Sequence, residues 1–111
     1  MQIETKTNYV VKVKDNQEKV WMYFEQNNVF NTGEFIYSKE DATFFSKGQD
    51  IATKSSAIQH AYRKLVEKDS ERYGNLEIEE NCTLITKSTE THDWENFLKE
   101  KEAEYYAEME L

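Results

Sequence analysis

The sequence predicts a small α+β domain, and three observations predict it. Apolar and polar residues alternate through short segments of the first forty residues and again between Leu76 and Thr86, which is strand periodicity. Between them, Ala57, Ile58, Ala61, Tyr62, Leu65 and Val66 repeat at helical spacing. A second helical pattern begins near Asp93 and runs to the end. With 111 residues the chain fits one domain spanning 1–111. A chain of this size buries roughly 65% of the surface its unfolded form exposes, so a single core can hold it.

The first strand is expected where Thr5, Tyr9, Val11 and Val13 alternate with Lys6, Asn8 and Lys12. The polar run Asp15-Asn16-Gln17-Glu18 turns the chain, and Val20, Met22 and Phe24 then alternate with Trp21, Tyr23 and Glu25, so an antiparallel hairpin follows. Asn27, Asn28, Asn31, Thr32 and Gly33 mark a loop before a third strand, Glu34–Tyr37. Ser38 and Asp41 stand at capping-box spacing and predict one helical turn over Lys39–Ala42, with Phe44 and Phe45 anchoring the chain behind it.

The main helix is expected from about Thr53 to Lys68, with Thr53 or Asp50 as its cap. Leu76, Ile78, Cys82, Leu84 and Thr86 share one parity, interrupted at Glu79-Glu80-Asn81, so one bent strand or a short hairpin follows. The terminal helix, over 93–110, places Trp94, Phe97, Leu98, Lys101, Tyr105 and Met109 on one side and is either packed or projecting. The order is β-β-β-α-β-α, with room for one extra strand, and a mainly antiparallel sheet covered by a helix is the simplest packing. Gly33, Gly48 and Gly74 are each expected in turns.

The net charge of −8 is unevenly placed. Residues 1–55 carry −1 and residues 56–111 carry −7, and from Asn75 onward 11 acidic side chains face only Lys87, Lys99 and Lys101. Direct nucleic-acid binding is disfavoured, because neutralising phosphates takes Lys and Arg. Lys54, Arg63, Lys64, Lys68 and Arg72 with Trp21 and Tyr23 offer a basic, aromatic exception, but acidic Glu67, Asp69 and Glu71 lie among them. A basic protein is the natural complement of the acidic half. The only cysteine, Cys82, can form no internal disulfide, which suits a reducing compartment. The start lacks the basic and apolar signature of a signal peptide, and no apolar run approaches the ~18 residues of a membrane span. A cytoplasmic protein with no membrane partner is the expectation.

The terminal helix carries the sharpest signal. Glu100, Glu104 and Glu108 stand at i, i+4 and i+8, with Glu95, Glu102 and Glu110 beside them. Like charges at this spacing weaken a helix by roughly 0.2–0.5 kcal/mol per pair, and carboxylates near its C-terminal end oppose the macrodipole. Such a ridge is either a solvated face or an acidic docking surface. Glu77, Glu79 and Glu80 form a second cluster, and together the two would make an anionic surface like a nucleic-acid backbone, helix turns of ~5.4 Å approaching phosphate spacing. Trp94, Tyr105 and Tyr106 are candidate interface anchors, since Trp and Tyr are frequent hot spots.

Chemistry-bearing motifs are otherwise missing from the sequence. His60, His92 and Cys82 have no short ligand spacing, so no metal site, cofactor or catalytic residue is expected. Cys82 reads as a small core residue, His60 as a boundary histidine and His92 as a capping or surface one. No phosphate loop or nucleophile elbow is present.

The stretch Phe35-Ile36-Tyr37-Ser38-Lys39-Glu40-Asp41-Ala42-Thr43-Phe44-Phe45, followed by the helix around Ala57-Ile58-Gln59-His60-Ala61, resembles small accessory proteins of Gram-positive phages over about a third of the chain. The resemblance implies a small acidic protein that binds and inhibits a host factor, as anti-CRISPR and other anti-defence inhibitors do. The first expectation is a non-enzymatic inhibitor. Its acidic residues 77–80 and 95–110 would occlude a basic nucleic-acid-handling host protein, in the host cytosol. A homodimerising regulatory module is the second, and an enzyme or small-ligand binder using Cys82, His60 or carboxylates the third.

Overall fold

A computed structural model describes the backbone at residues 6–27, 32–83 and 87–109, and side chains within them at 7–27, 32–82 and 89–107. The elements are β1 (Lys6–Asp15), β2 (Val20–Asn27), β3 (Thr32–Ile36), α1 (Gly48–Thr53), α2 (Ser55–Lys68), β4 (Glu77–Thr83), β5 (Lys87–Asp93) and α3 (Trp94–Met109). The strands form one antiparallel sheet in the order β3-β2-β1-β4-β5. This is the small α+β architecture the sequence predicts, with the extra strand present.

β1 takes the centre, and its Val10, Val11 and Val13 are fully buried. Tyr9, Val11 and Val13 point to the helix-covered face and meet Met22, Phe24, Phe35 and Ile78 from their neighbours. α2 lies over the β3 side and adds Ala57, Ile58 and Ala61, while α3 lies over β4 and β5 and adds Trp94 and Phe97. Burying each such large apolar side chain stabilises by roughly 1.5–3 kcal/mol, and this core is the main source of stability. Gly33 lies in β3, not in a turn, and the strand needs glycine there because a β-carbon would run into the Phe24 ring and the Glu25 carbonyl. Gly48 likewise opens a helix and is buried.

β2 pairs with β1 only from Lys12↔Tyr23 to Asp15↔Val20. Beyond Lys12 another segment bonds to both strands. Tyr9 and Phe45 exchange two backbone hydrogen bonds of 2.8 Å, and the Thr43 amide donates to the Phe24 carbonyl at 2.9 Å. Phe45 is buried by this insertion, whereas Phe44 stays exposed on the other side of the extended segment. The expected helical turn before it is only a reverse turn, closed by the Ala42 amide on the Lys39 carbonyl at 3.2 Å.

Further expectations are corrected. The main helix is broken at Lys54 into α1 and α2, and Thr53 caps neither: its hydroxyl donates back to the Asp50 carbonyl at 2.8 Å. Val20 is exposed although Met22 and Phe24 behind it are buried. Glu79-Glu80-Asn81 does not interrupt β4 but forms its middle, and the partner strand β5 consists of Lys-Ser-Thr-Glu-Thr-His-Asp. Thr5, Asn28, Asn31, Leu84 and Thr86 lie outside the described residues.

One polar cluster locks three parts of the chain together. The Asp15 carboxylate is fully buried and accepts bonds from Arg72 Nε at 3.0 Å, Arg72 Nη2 at 2.9 Å and the Tyr37 hydroxyl at 2.7 Å. It also accepts the Gln17 and Glu18 amides, which fixes the β1–β2 turn. The Arg72 hydrogen bonds, outweighing the burial, hold the Asp15 carboxyl well below the usual carboxylate range. The Asp15 pair therefore joins the first hairpin, the end of β3 and the link between α2 and β4.

Candidate partner-binding surface

α3 begins where Asp93 Oδ2 accepts the Asn96 amide at 3.3 Å, an N-cap with the preferred chemistry. Its first two turns are docked. Trp94 and Phe97 are buried, and the Phe97 ring packs on Tyr9 at 5.6 Å and on His92 at 5.5 Å between centroids. Lys101 lies along this surface with its ammonium 5.2 Å from the Phe97 ring. Beyond it, every described side chain from Glu102 to Ala107 is exposed. Tyr105 and Tyr106 are 54% and 56% exposed and touch each other edge-on, their centroids 5.9 Å apart. The apolar stripe of the sequence is thus used for half its length, and the helix then projects past the core.

The carboxylates of this helix split in the same way. Glu104 accepts Lys101 Nζ at 3.3 Å and Gln49 Nε2 at 3.3 Å, which ties the ridge to α1. Glu95, Glu100 and Glu102 are exposed and form no ion pair among the described residues. The Glu108 side chain lies outside them. Between α1 and α3 runs an open cleft of about 370 Å³ bordered by Ala52, Thr53, Leu98, Lys101 and Tyr105.

The second acidic cluster does not join this surface. In β4, Glu77 and Glu79 face one side of the sheet and Glu80 the other, because strand side chains alternate. Glu79 is buried between Lys12 Nζ at 3.4 Å and Lys39 Nζ at 2.6 Å. Burial alone would raise its carboxyl, but the hydrogen bonds of Lys39 and Asn81 and the two ammonium charges outweigh this and lower it. Glu80 accepts the Tyr9 hydroxyl at 3.1 Å and contacts His92 Nε2 at 2.8 Å. Burial again acts upward on Glu80, and the His92 and Tyr9 bonds prevail downward. Burial and the Glu80 carboxylate push the Tyr9 phenol up to about 12. Trp94 is equally withdrawn, 7% exposed inside the core, so it holds α3 in place and is no contact anchor.

The basic candidates are also committed in part. Arg72 serves Asp15, and Lys12 and Lys14 stand over the Trp21 ring at 4.4 and 5.2 Å, which screens that aromatic from solvent contacts. Arg63, Lys64 and Lys68 are exposed on α2, as is His60. Cys82 is half-buried and free, not enclosed in the core. Sequence spacing missed two clusters, Asp15–Arg72–Tyr37 and Glu80–Glu90–His92. Strand register brings the second together, and the first is assembled by the link after α2 and the end of β3 meeting the first hairpin, neither of which a local pattern displays. Comparison with protein-family models, curated proteins and solved structures finds no match to this chain, so its functional reading rests on geometry.

Proposed function

We propose that this chain is a non-enzymatic inhibitor that binds a basic, nucleic-acid-handling host protein through the outer half of α3. The observation that carries this reading is the exposed Tyr105–Tyr106 pair on the outer half of α3, beside Glu102, which is exposed and has no ion pair among the described residues. Exposed paired tyrosines supply apolar contact area, and the surrounding Glu side chains select a cationic surface and speed encounter. Self-association through the same surface would set Glu100 and Glu102 against their own copies, which the charge opposes. The resemblance of residues 35–45 to phage accessory proteins supports a host factor as the target.

The test is capture from host lysate on immobilised protein, followed by binding measurements with the captured protein at two salt concentrations. Raising ionic strength shortens the Debye length from ~10 Å at 0.1 M to ~3 Å at 1 M, and association should slow accordingly. The paired substitution Tyr105→Ala/Tyr106→Ala should weaken binding at least about tenfold. Glu100→Lys/Glu102→Lys should act mainly on the association rate. Capture that survives both pairs of substitutions would rule out this surface.

A further inference from the structure

We infer that Glu80, Glu90 and His92 form a zinc-binding site at the β4–β5 edge of the sheet. The strand register creates it. Glu80 and Glu90 are direct cross-strand partners, and His92 follows two residues after Glu90, so all three side chains project from the same face. Their ligand atoms lie within 4.8 Å of one another. His92 Nε2 stands 2.8 Å from Glu80 Oε2 and 3.8 Å from Glu90 Oε2. Donors each ~2.1 Å from a tetrahedral ion sit about 3.4 Å apart, between those two separations, so the triad closes on zinc with small side-chain adjustments.

Two further features fit a cation. Like charges placed directly opposite on paired strands destabilise a sheet, and Glu80↔Glu90 is such a pair; a divalent ion reverses the sign of that contact. Two of the three donor residues, Glu80 and His92, are also held from outside the triad. Tyr9 donates to the second oxygen of Glu80, and the His92 ring rests on Phe97. The Tyr9 bond is an outer-shell hydrogen bond to a ligand carboxylate, and the Phe97 contact limits the rotation of the imidazole. The imidazole distinguishes the ion: calcium and magnesium prefer oxygen alone, whereas one nitrogen and two carboxylates suit zinc. Three protein ligands leave a fourth position, and the carboxylates border a shallow cavity of about 240 Å³ shared with Thr7 and Cys82.

Titration calorimetry of the metal-stripped chain with zinc, calcium and magnesium tests the site, with the visible spectrum of the cobalt-substituted protein as a second readout. One zinc per chain is expected, with calcium and magnesium much weaker and a tetrahedral cobalt spectrum. Glu90→Gln, at a side chain 71% exposed and remote from the core, should weaken zinc at least about tenfold, as should His92→Gln. Tyr9→Phe should weaken it less. No zinc binding at all, equal binding of calcium, or zinc binding that Glu90→Gln leaves unchanged and His60→Ala abolishes would overturn the assignment.

Discussion

The carboxylates of β4 and those of the outer half of α3 look alike in sequence and behave oppositely in the fold. Glu79, buried, and Glu80, half-buried, project from opposite faces of the sheet, each with cationic or hydrogen-bonding partners from other strands and loops. Glu100 and Glu102 face water without partners among the described residues. A buried carboxylate must be paired, or its desolvation is uncompensated, so the β4 charges are bound up in the architecture. An exposed one on a projecting helix costs little to keep and remains available to another molecule. Equal charge density along the sequence therefore hides a division between residues that hold the domain together and residues that face outward.

Substitutions sharpen that division. The largest effect is expected at Asp15, the most buried carboxylate: Asp15→Asn removes the charge facing Arg72 and should lower the melting temperature by on the order of 10 °C. Glu79→Gln leaves Lys12 and Lys39 facing a neutral amide and should cost about 1–3 kcal/mol in denaturant unfolding. Glu102→Lys, by contrast, should change stability by no more than about 0.5 kcal/mol, because the side chain is exposed. A Glu102→Lys loss as large as that of Glu79→Gln would break the comparison.

Acid unfolding separates the two groups without ambiguity of packing. Asp15, Glu79 and Glu80 have folded pKa values depressed below their unfolded ones. Their stabilisation is complete above the unfolded carboxylate pKa of about 4 and is lost as pH falls through the lower folded values. Melting temperature against pH should therefore decline steeply below about pH 4 in the parent chain. The decline should be shallower in Asp15→Asn and Glu79→Gln and unchanged in Glu102→Lys.

The parts of this fold legible in the sequence are those whose apolar pattern is local. β1, the first hairpin and α2 each show a buried face through their own spacing, and each is where the pattern puts it. β5 is illegible because an edge strand of Lys-Ser-Thr-Glu-Thr-His-Asp buries no apolar side chain of its own and is held by pairing with β4. The break at Lys54 is also hidden, since Thr53 is acceptable as a cap by type yet bonds backwards to Asp50. Within α3 the same side carries Trp94, Phe97 and Leu98 and, past Lys101, Tyr105. Spacing reveals which side of a helix is apolar, not where the body beneath it ends, so Trp94 and Tyr105 look equivalent and only one of them is buried. Arg72 lies 57 positions from Asp15 and Tyr9 lies 71 from Glu80, and the packing of distant segments rather than sequence proximity unites them.

Amide hydrogen exchange along α3, followed at two protein concentrations, tests most directly whether that helix is divided between docking and display. Amides from Leu98 to Lys101, in the docked turns anchored by Trp94 and Phe97, should exchange near the rate of global unfolding, and those from about residue 102 onward should exchange orders of magnitude faster at both concentrations. Uniform protection to residue 107 would contradict it, showing the outer turns packed against the domain or, if protection grew with concentration, against a second copy.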